Sequence, residues 1–169
     1  VTSMTDALGH VTTYTYDSHG NLISVTDPLG KTTTYTRDNA GNIRTVRDAN
    51  ANTTSYTYDV LNQLTSVTDA EGRTTTYTYH PSCGCGSGGG TKLATITDAK
   101  GHTTSFAYNE IGQLISETDP MGRVTSYSYD ANRQLATRTD PNGNTITYTY
   151  DPLNRLIQKQ MPRKLRKET

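Results

Sequence analysis

The chain has no tryptophan, a single phenylalanine and two cysteines, and its 16 Lys and Arg are balanced by 16 Asp and Glu. Each shortage removes a class of function. At a formal net charge of zero there is no basic field to recruit nucleic acid or an anionic membrane surface. No apolar run approaches the length of about 18 residues that a membrane-spanning helix needs. Val1–Asp6 has neither the basic start nor the apolar core of a signal peptide, and Val1 falls in the middle of a repeat, so the sequence reads as an excerpt. A phosphate-binding glycine loop, a Gly-x-Ser-x-Gly elbow and a His-Glu-x-x-His run are all missing, so neither an enzyme nor a cofactor is expected. Hydrophobic residues make up 31% and the mean hydropathy is −0.72, which raises the question of disorder. Twelve Tyr and an abundance of Thr argue against it, because both are strand formers.

What is present is a repeat. Asp6, Asp27, Asp48 and Asp69 are spaced by 21 residues, and Asp98, Asp119 and Asp140 resume that spacing after one insertion. Two aromatic columns run in the same register. One holds Tyr14, Tyr35, Tyr56, Tyr77, Phe106, Tyr127 and Tyr148; the other holds Tyr16, Tyr58, Tyr79, Tyr108, Tyr129 and Tyr150, with Arg37 in the remaining slot. Residues 1–156 are read as tandem repeats, residues 80–92 as an insertion loop, and residues 157–169 as a solvated basic tail.

Each unit reads as two strands and two turns. Lys31–Arg37 alternates β-branched and aromatic residues, Asp38–Asn42 is turn chemistry, and Ile43–Arg47 is a second strand. The link to the next unit is clearest in Asp27-Pro28-Leu29-Gly30, where Asp, Pro and Gly suit a type I turn. Links this short force antiparallel neighbours. The expected fold is therefore all-β, an antiparallel β-hairpin meander of about fourteen strands.

Alternation gives the long strands two faces. The aromatic residues point one way and Thr or Ser the other. The aromatic columns are expected to be buried and to carry the structure, with the sheet curled on itself or packed on another. The short strands contribute a Leu22, Ile43, Leu64, Leu93, Leu114, Leu135, Leu156 column and, three residues on, Val25, Val46, Val67, Ile96, Glu117 and Arg138. Spacing of three puts these columns on opposite faces unless a bulge intervenes.

Tyr-Thr-Tyr-Asp at Tyr14–Asp17, Tyr56–Asp59 and Tyr148–Asp151, Gly-Asn-Leu at Gly20–Leu22 and Val-Thr-Asp-Pro-x-Gly at Val25–Gly30 resemble the YD-repeat (Rhs-repeat) family. The resemblance covers the chain to about Leu156 and repeats seven times in register. It implies large secreted or surface proteins, bacterial polymorphic toxins or animal adhesion receptors, whose β-hairpins spiral into a hollow shell able to enclose a C-terminal toxin. The expected role is a structural scaffold in the wall of such a protein, outside the cell or on its surface. A self-assembling extracellular fibre and a carbohydrate-binding module are the alternatives. The expected partners are other repeats, of the same or a neighbouring chain, joined end to end by strand pairing, with carbohydrate as an alternative ligand.

The insertion carries the only cysteines. His80, Cys83 and Cys85 are weak candidates for soft metal ligands, since a fourth ligand is not evident. A disulfide and a passive loop with free thiols are the other readings. His10 and His102 share a repeat position that also takes Lys, Asn and Arg, so they read as solvated turn exits. The Asp columns read as turn caps, not as a calcium ladder.

Overall fold

The computed structural model describes residues 2–80 and 91–161. Among these residues fifteen strands follow one another in sequence order in one antiparallel sheet. They are β1 Ser3–Thr5, β2 Val11–Tyr16, β3 Leu22–Thr26, β4 Thr32–Arg37, β5 Ile43–Arg47, β6 Thr53–Tyr58, β7 Leu64–Thr68 and β8 Thr74–Tyr79. Beyond the insertion come β9 Leu93–Thr97, β10 Thr103–Tyr108, β11 Leu114–Thr118, β12 Val124–Tyr129, β13 Leu135–Thr139, β14 Thr145–Tyr150 and β15 Leu156–Gln160. The chain divides into two compact units, Val1–Tyr77 with Asp98–Lys100, and Thr78–Thr97 with Gly101–Thr169. The first holds β1 to β7 and most of β8; the second holds β9 to β15.

The turns explain why the strands pair as they do. In Asp27–Lys31 the Gly30 N–H donates to the Asp27 carbonyl at 2.9 Å, and the Asp27 N–H donates to the Lys31 carbonyl at 2.9 Å. This closes a three-residue hairpin loop whose last residue must be left-handed. Gly30 fills that place with φ at +78°. The same pair of bonds recurs at Asp17, Asp38, Asp119, Asp140 and elsewhere, so the turn inside a repeat and the turn between repeats have one geometry. Ala51, Asn62, Arg133 and Asn154 take the left-handed place where glycine is absent, with φ between 61° and 69°. For Ala51 and Arg133 that conformation costs roughly 1–2 kcal/mol.

A bulge settles the question of the two aliphatic columns. Within the first repeat Tyr14 pairs with Val25, Thr15 with Ser24, and then Tyr16 with Leu22, so Ile23 is the extra residue. The shift recurs in the hairpins β4–β5, β6–β7, β10–β11, β12–β13 and β14–β15. One inserted residue brings Leu22 and Val25 to the same face, opposite the two tyrosines. Each unit therefore has one face of tyrosine and aliphatic columns and one face of hydroxyls.

The expectation of a buried aromatic face is not met. Among the described residues none is buried; Tyr16 is 41% exposed, and the remaining aromatics are half-buried. The reason is geometric. Among the described residues of each unit, strands touch only strands next to them in sequence. Neighbours in a single layer cover the flanks of a ring and leave its top open.

Candidate functional site

The tyrosine face is built by cross-strand pairs. Tyr56 lies opposite Val67 and Tyr58 opposite Leu64 in the first unit. Tyr127 lies opposite Arg138 and Tyr129 opposite Leu135 in the second. Between consecutive repeats the ladder is short: Thr45–Arg47 pairs with Ser55–Thr53, which leaves Ile43 outside the pairing. The Tyr58 hydroxyl donates to the Ile43 carbonyl at 3.0 Å. In the second unit Tyr129 does the same to Leu114 at 2.8 Å, and Tyr150 to Leu135 at 3.0 Å. Each of these hydroxyls bonds the carbonyl that opens the preceding short strand, clamping one repeat to the one before it. Burial raises the pKa of Tyr58, Tyr108 and Tyr129 above that of an ordinary phenol.

Arg37 occupies a tyrosine slot and bonds differently. Its Nη1 donates to the Gly41 carbonyl at 2.9 Å, while its Nε is enclosed without a partner. It borders an open depression of about 770 Å³ in the first unit, whose lining includes Asp17, His19, Asn21 and Tyr35.

The opposite face is a lattice of paired hydroxyls. Thr15 and Ser24 are hydrogen-bonded at 2.5 Å, Thr36 and Thr45 at 2.6 Å, and Ser128 and Thr137 at 2.6 Å. A second row joins Thr26 to Thr32 and Thr139 to Thr145, both at 2.8 Å.

The Asp columns cap turns. Asp17 Oδ1 accepts the His19 and Asn21 backbone N–H groups at 2.9 and 2.8 Å, and its Oδ2 accepts Asn21 Nδ2 at 3.0 Å. Bonds from the Asn21 side chain, then its backbone, hold the Asp17 carboxyl below its ordinary range. Arg73 does this for Asp69, through its Nε at 2.6 Å, and Arg123 and Arg155 sit likewise on Asp119 and Asp151 at 2.7 Å. At the position of His10 the sequence suggested a merely solvated side chain. The ring is exposed, yet its Nδ1 lies 2.9 Å from Asp6 Oδ2. A further set of bonds links three of the turns inside repeats to their counterparts one repeat on. Asn42 Nδ2 donates to Asn62 Oδ1 at 2.9 Å, and Gln113 and Gln134 donate to the Arg133 and Asn154 carbonyls.

His80 stands at the neck of the insertion, where its N–H donates to the Lys92 carbonyl at 2.8 Å. Its ring meets Tyr108 edge-on at 5.9 Å between centroids, and its Nε2 lies 3.0 Å from the Phe106 carbonyl. Cys83 and Cys85, the other two candidate ligands, lie outside the described residues. Among the described residues no cluster of three or more His, Cys, Asp or Glu side chains could hold a metal ion. The tyrosine clamp and the turn-to-turn amides are the elements that reading the sequence did not anticipate. Apart from Asn62 Oδ1, their acceptors are backbone carbonyls, and no residue pattern marks a carbonyl.

Comparison with known proteins gives a consistent picture. A family model described as RHS Repeat matches residues 1–23, 16–53, 38–74, 58–82, 108–145 and 133–164. Among solved structures, a chain of the crystal structure of TcdB2-TccC3-Cdc42 superposes with a TM-score of 0.72 at 21% identity over 90% of this chain. This chain spans only 9% of that one, and the likeness is one of fold. The crystal structure of TcdB2-TccC3 without its hypervariable C-terminal region aligns over 94% of this chain and 13% of that one, at 18% identity, with a TM-score of 0.37. No curated protein gives a significant match.

Proposed function

This chain belongs to the RHS-repeat family, and from that premise we propose that it is a length of wall in a larger secreted or surface protein, structural and not catalytic. The observation that carries the reading is the division of labour between the two faces. One face is saturated with paired hydroxyls and suits contact with water. The other presents tyrosine and aliphatic columns that neighbours only half cover, as suits a surface turned toward an enclosed space or a second layer. The chemistry is also uniform from repeat to repeat, whereas catalysis needs one unlike convergence of groups. Stability in such an array comes from each repeat and its contacts with the next, so the number of repeats sets the span of wall.

The test is to remove one repeat cleanly. Deleting residues 43–63 joins Asn42 to Leu64 and keeps every turn and bulge in register. The wall reading expects a shorter folded array with an unchanged β-sheet circular dichroism signal per residue and a modestly lower urea midpoint. Loss of cooperative unfolding would show that the repeats are not interchangeable and would reject it.

The depression beside Tyr35 and Arg37 supports a second reading, a carbohydrate site, because a ring face flanked by amide, carboxylate and guanidinium groups suits a sugar. Titration with a panel of oligosaccharides, followed through the tyrosine ring NMR signals, separates the two readings. A wall shows no saturable shift. Saturable binding lost in Tyr35→Ala would favour the sugar.

A further inference from the structure

Among the described strands, charged residues are few, and most stand on the tyrosine face. Arg37 lies opposite Ile43, Glu117 opposite Phe106, Arg138 opposite Tyr127 and Lys159 opposite Tyr148. The exceptions are Arg44 and Arg47, both on β5 of the first unit. Arg47 pairs with Thr34 on one side and Thr53 on the other, which puts it on the hydroxyl face. Arg44 is the extra residue of the bulge, and the next repeat shows which way that place points. Thr65 fills it there, and its hydroxyl bonds the Thr57 hydroxyl at 2.8 Å, beside Ser66. Arg44 therefore shares the hydroxyl face with Arg47. In the other repeats the first place holds Ile, Thr or Ala and the second Thr or Gln, all uncharged. Both arginines are exposed, and among the described residues neither makes an ion pair. Lys31, also exposed, lines with Thr32, Thr34 and Arg47 an open depression of about 430 Å³. The acid that lines it, Asp48, is committed to its turn: its carboxylate accepts the Asn50 and Asn52 N–H groups and Asn52 Nδ2 at 2.8–2.9 Å.

We infer that the hydroxyl face at β5 binds an acidic glycan, a sugar chain bearing carboxylate or sulfate groups, with Arg44 and Arg47 as its anion contacts. Each guanidinium offers a planar fork of N–H donors that matches two oxygens of such a group. Three residues apart on one strand, the arginines meet successive charged groups of an extended chain lying along β5. Lys31 stands beyond Arg47 at the same end of the hairpin and adds a third cation. Around them lie the hydroxyls of Thr34, Thr36, Thr45 and Ser55. Thr36 and Thr45 already bond each other at 2.6 Å, yet a paired hydroxyl keeps acceptor capacity for a sugar hydroxyl. The same face does not suit nucleic acid. Tyr35, Tyr56 and Tyr58 all stand on the opposite side of β4 and β6, so a base has no ring to stack on. The inference rests neither on the wall reading nor on the sugar reading of the depression beside Tyr35.

Titration calorimetry of the full chain tests it, with sulfated dextran oligosaccharides and oligogalacturonates as probes and uncharged dextran oligosaccharides as the control. Saturable binding of at least one acidic series is expected, weakening as salt is raised, with none of the uncharged series. Binding of the sulfated series alone assigns sulfate as the recognised group; binding of the galacturonates alone assigns carboxylate. Arg44→Thr and Arg47→Thr install the residues that Thr65 and Thr68 supply one repeat on, so the fold, checked by circular dichroism, is expected to survive. Each is expected to weaken binding about tenfold, the worth of one charge-assisted hydrogen bond. Arg138→Val removes the same charge from the tyrosine face and is expected to leave binding unchanged. No binding of either acidic series at low salt overturns the inference, as does binding that both arginine variants leave intact. A loss in Arg138→Val as large as that in Arg47→Thr would reduce the attraction to net charge and overturn it too. So would equally tight binding of a single-stranded oligonucleotide of the same charge.

Discussion

The middle column of the tyrosine face is Val25, Val46 and Val67 in the first unit, and Ile96, Glu117 and Arg138 in the second, with Lys159 in the same register beyond. Strand lengths, bulges and turns around the column are the same in both. The difference teaches that the column does not hold the sheet together. A site that is only half covered lets a long charged side chain lay its stem on the face and keep its head in water. What the units share is backbone: the loop closed by an Asp cap, the bulge that turns both aliphatic columns toward the tyrosines, and the phenol that reaches back one repeat. The column is free to vary, and in the second unit it has varied into charge.

The largest effects should fall on what is shared. Tyr58→Ala and Tyr129→Ala should each cost about 2 kcal/mol, below the range for a fully buried ring because these are half-buried. Measured by urea unfolding, the two should agree closely, since both hydroxyls make the same clamp. A silent Tyr129→Ala would mean that the second unit is held in some other way. The corresponding Phe variants isolate the clamp and should cost about 1 kcal/mol.

Exchanging the column comes next. Val46→Arg should cost about 1 kcal/mol by removing the contacts with Tyr35 and Thr54, whereas Arg138→Val should be neutral or slightly stabilising. Equal and opposite changes of much larger size would show that the column is structural after all.

Smaller gains should come from left-handed residues that are not glycine. Ala51→Gly in the first unit and Arg133→Gly in the second should each raise stability by roughly 0.5–1 kcal/mol, since relief of the left-handed strain exceeds the added freedom of the unfolded chain. Gln113 donates to the Arg133 backbone carbonyl, so that bond survives the change.

Acid should act least per residue and in both units alike. Asp17, Asp38, Asp48 and Asp69 in one unit, and Asp119, Asp140 and Asp151 in the other, have folded pKa values below the ordinary 3.8. A lowered folded pKa gives stabilisation that is complete above 3.8 and is lost as the pH falls through the folded value. The thermal midpoint should be level above about pH 5 and decline below about pH 4, less steeply in Asp17→Asn than in the natural chain.

Much of this fold could be read directly. Alternation in Thr32–Arg37 and the Asp-x-x-Gly runs place strands and turns to within a residue, because both depend on local chemistry. The bulge could not be read, since Leu22 and Val25 three apart fit either face until pairing chooses. The clamp was hidden behind the bulge, because the Ile43 and Leu114 carbonyls are left free only once the ladder stops short of them. The edge-on contact of His80 with Tyr108 could not be read either, since the two lie 28 residues apart and only the sheet brings them together. Expected burial failed for a different reason: alternation shows which face is apolar and says nothing about what covers it.

The central claim is that the two faces do different work, and adjacent residues on β6 test it directly. Tyr56 stands on the tyrosine face opposite Val67, while Thr57 stands on the other, bonded to Thr65 and Ser66 hydroxyls at 2.8 and 2.7 Å. Urea midpoints of Tyr56→Ala and Thr57→Ala should differ severalfold in their shift, with about 2 kcal/mol lost at Tyr56 and about 0.5 kcal/mol at Thr57. Equal shifts for the two neighbours would contradict the account.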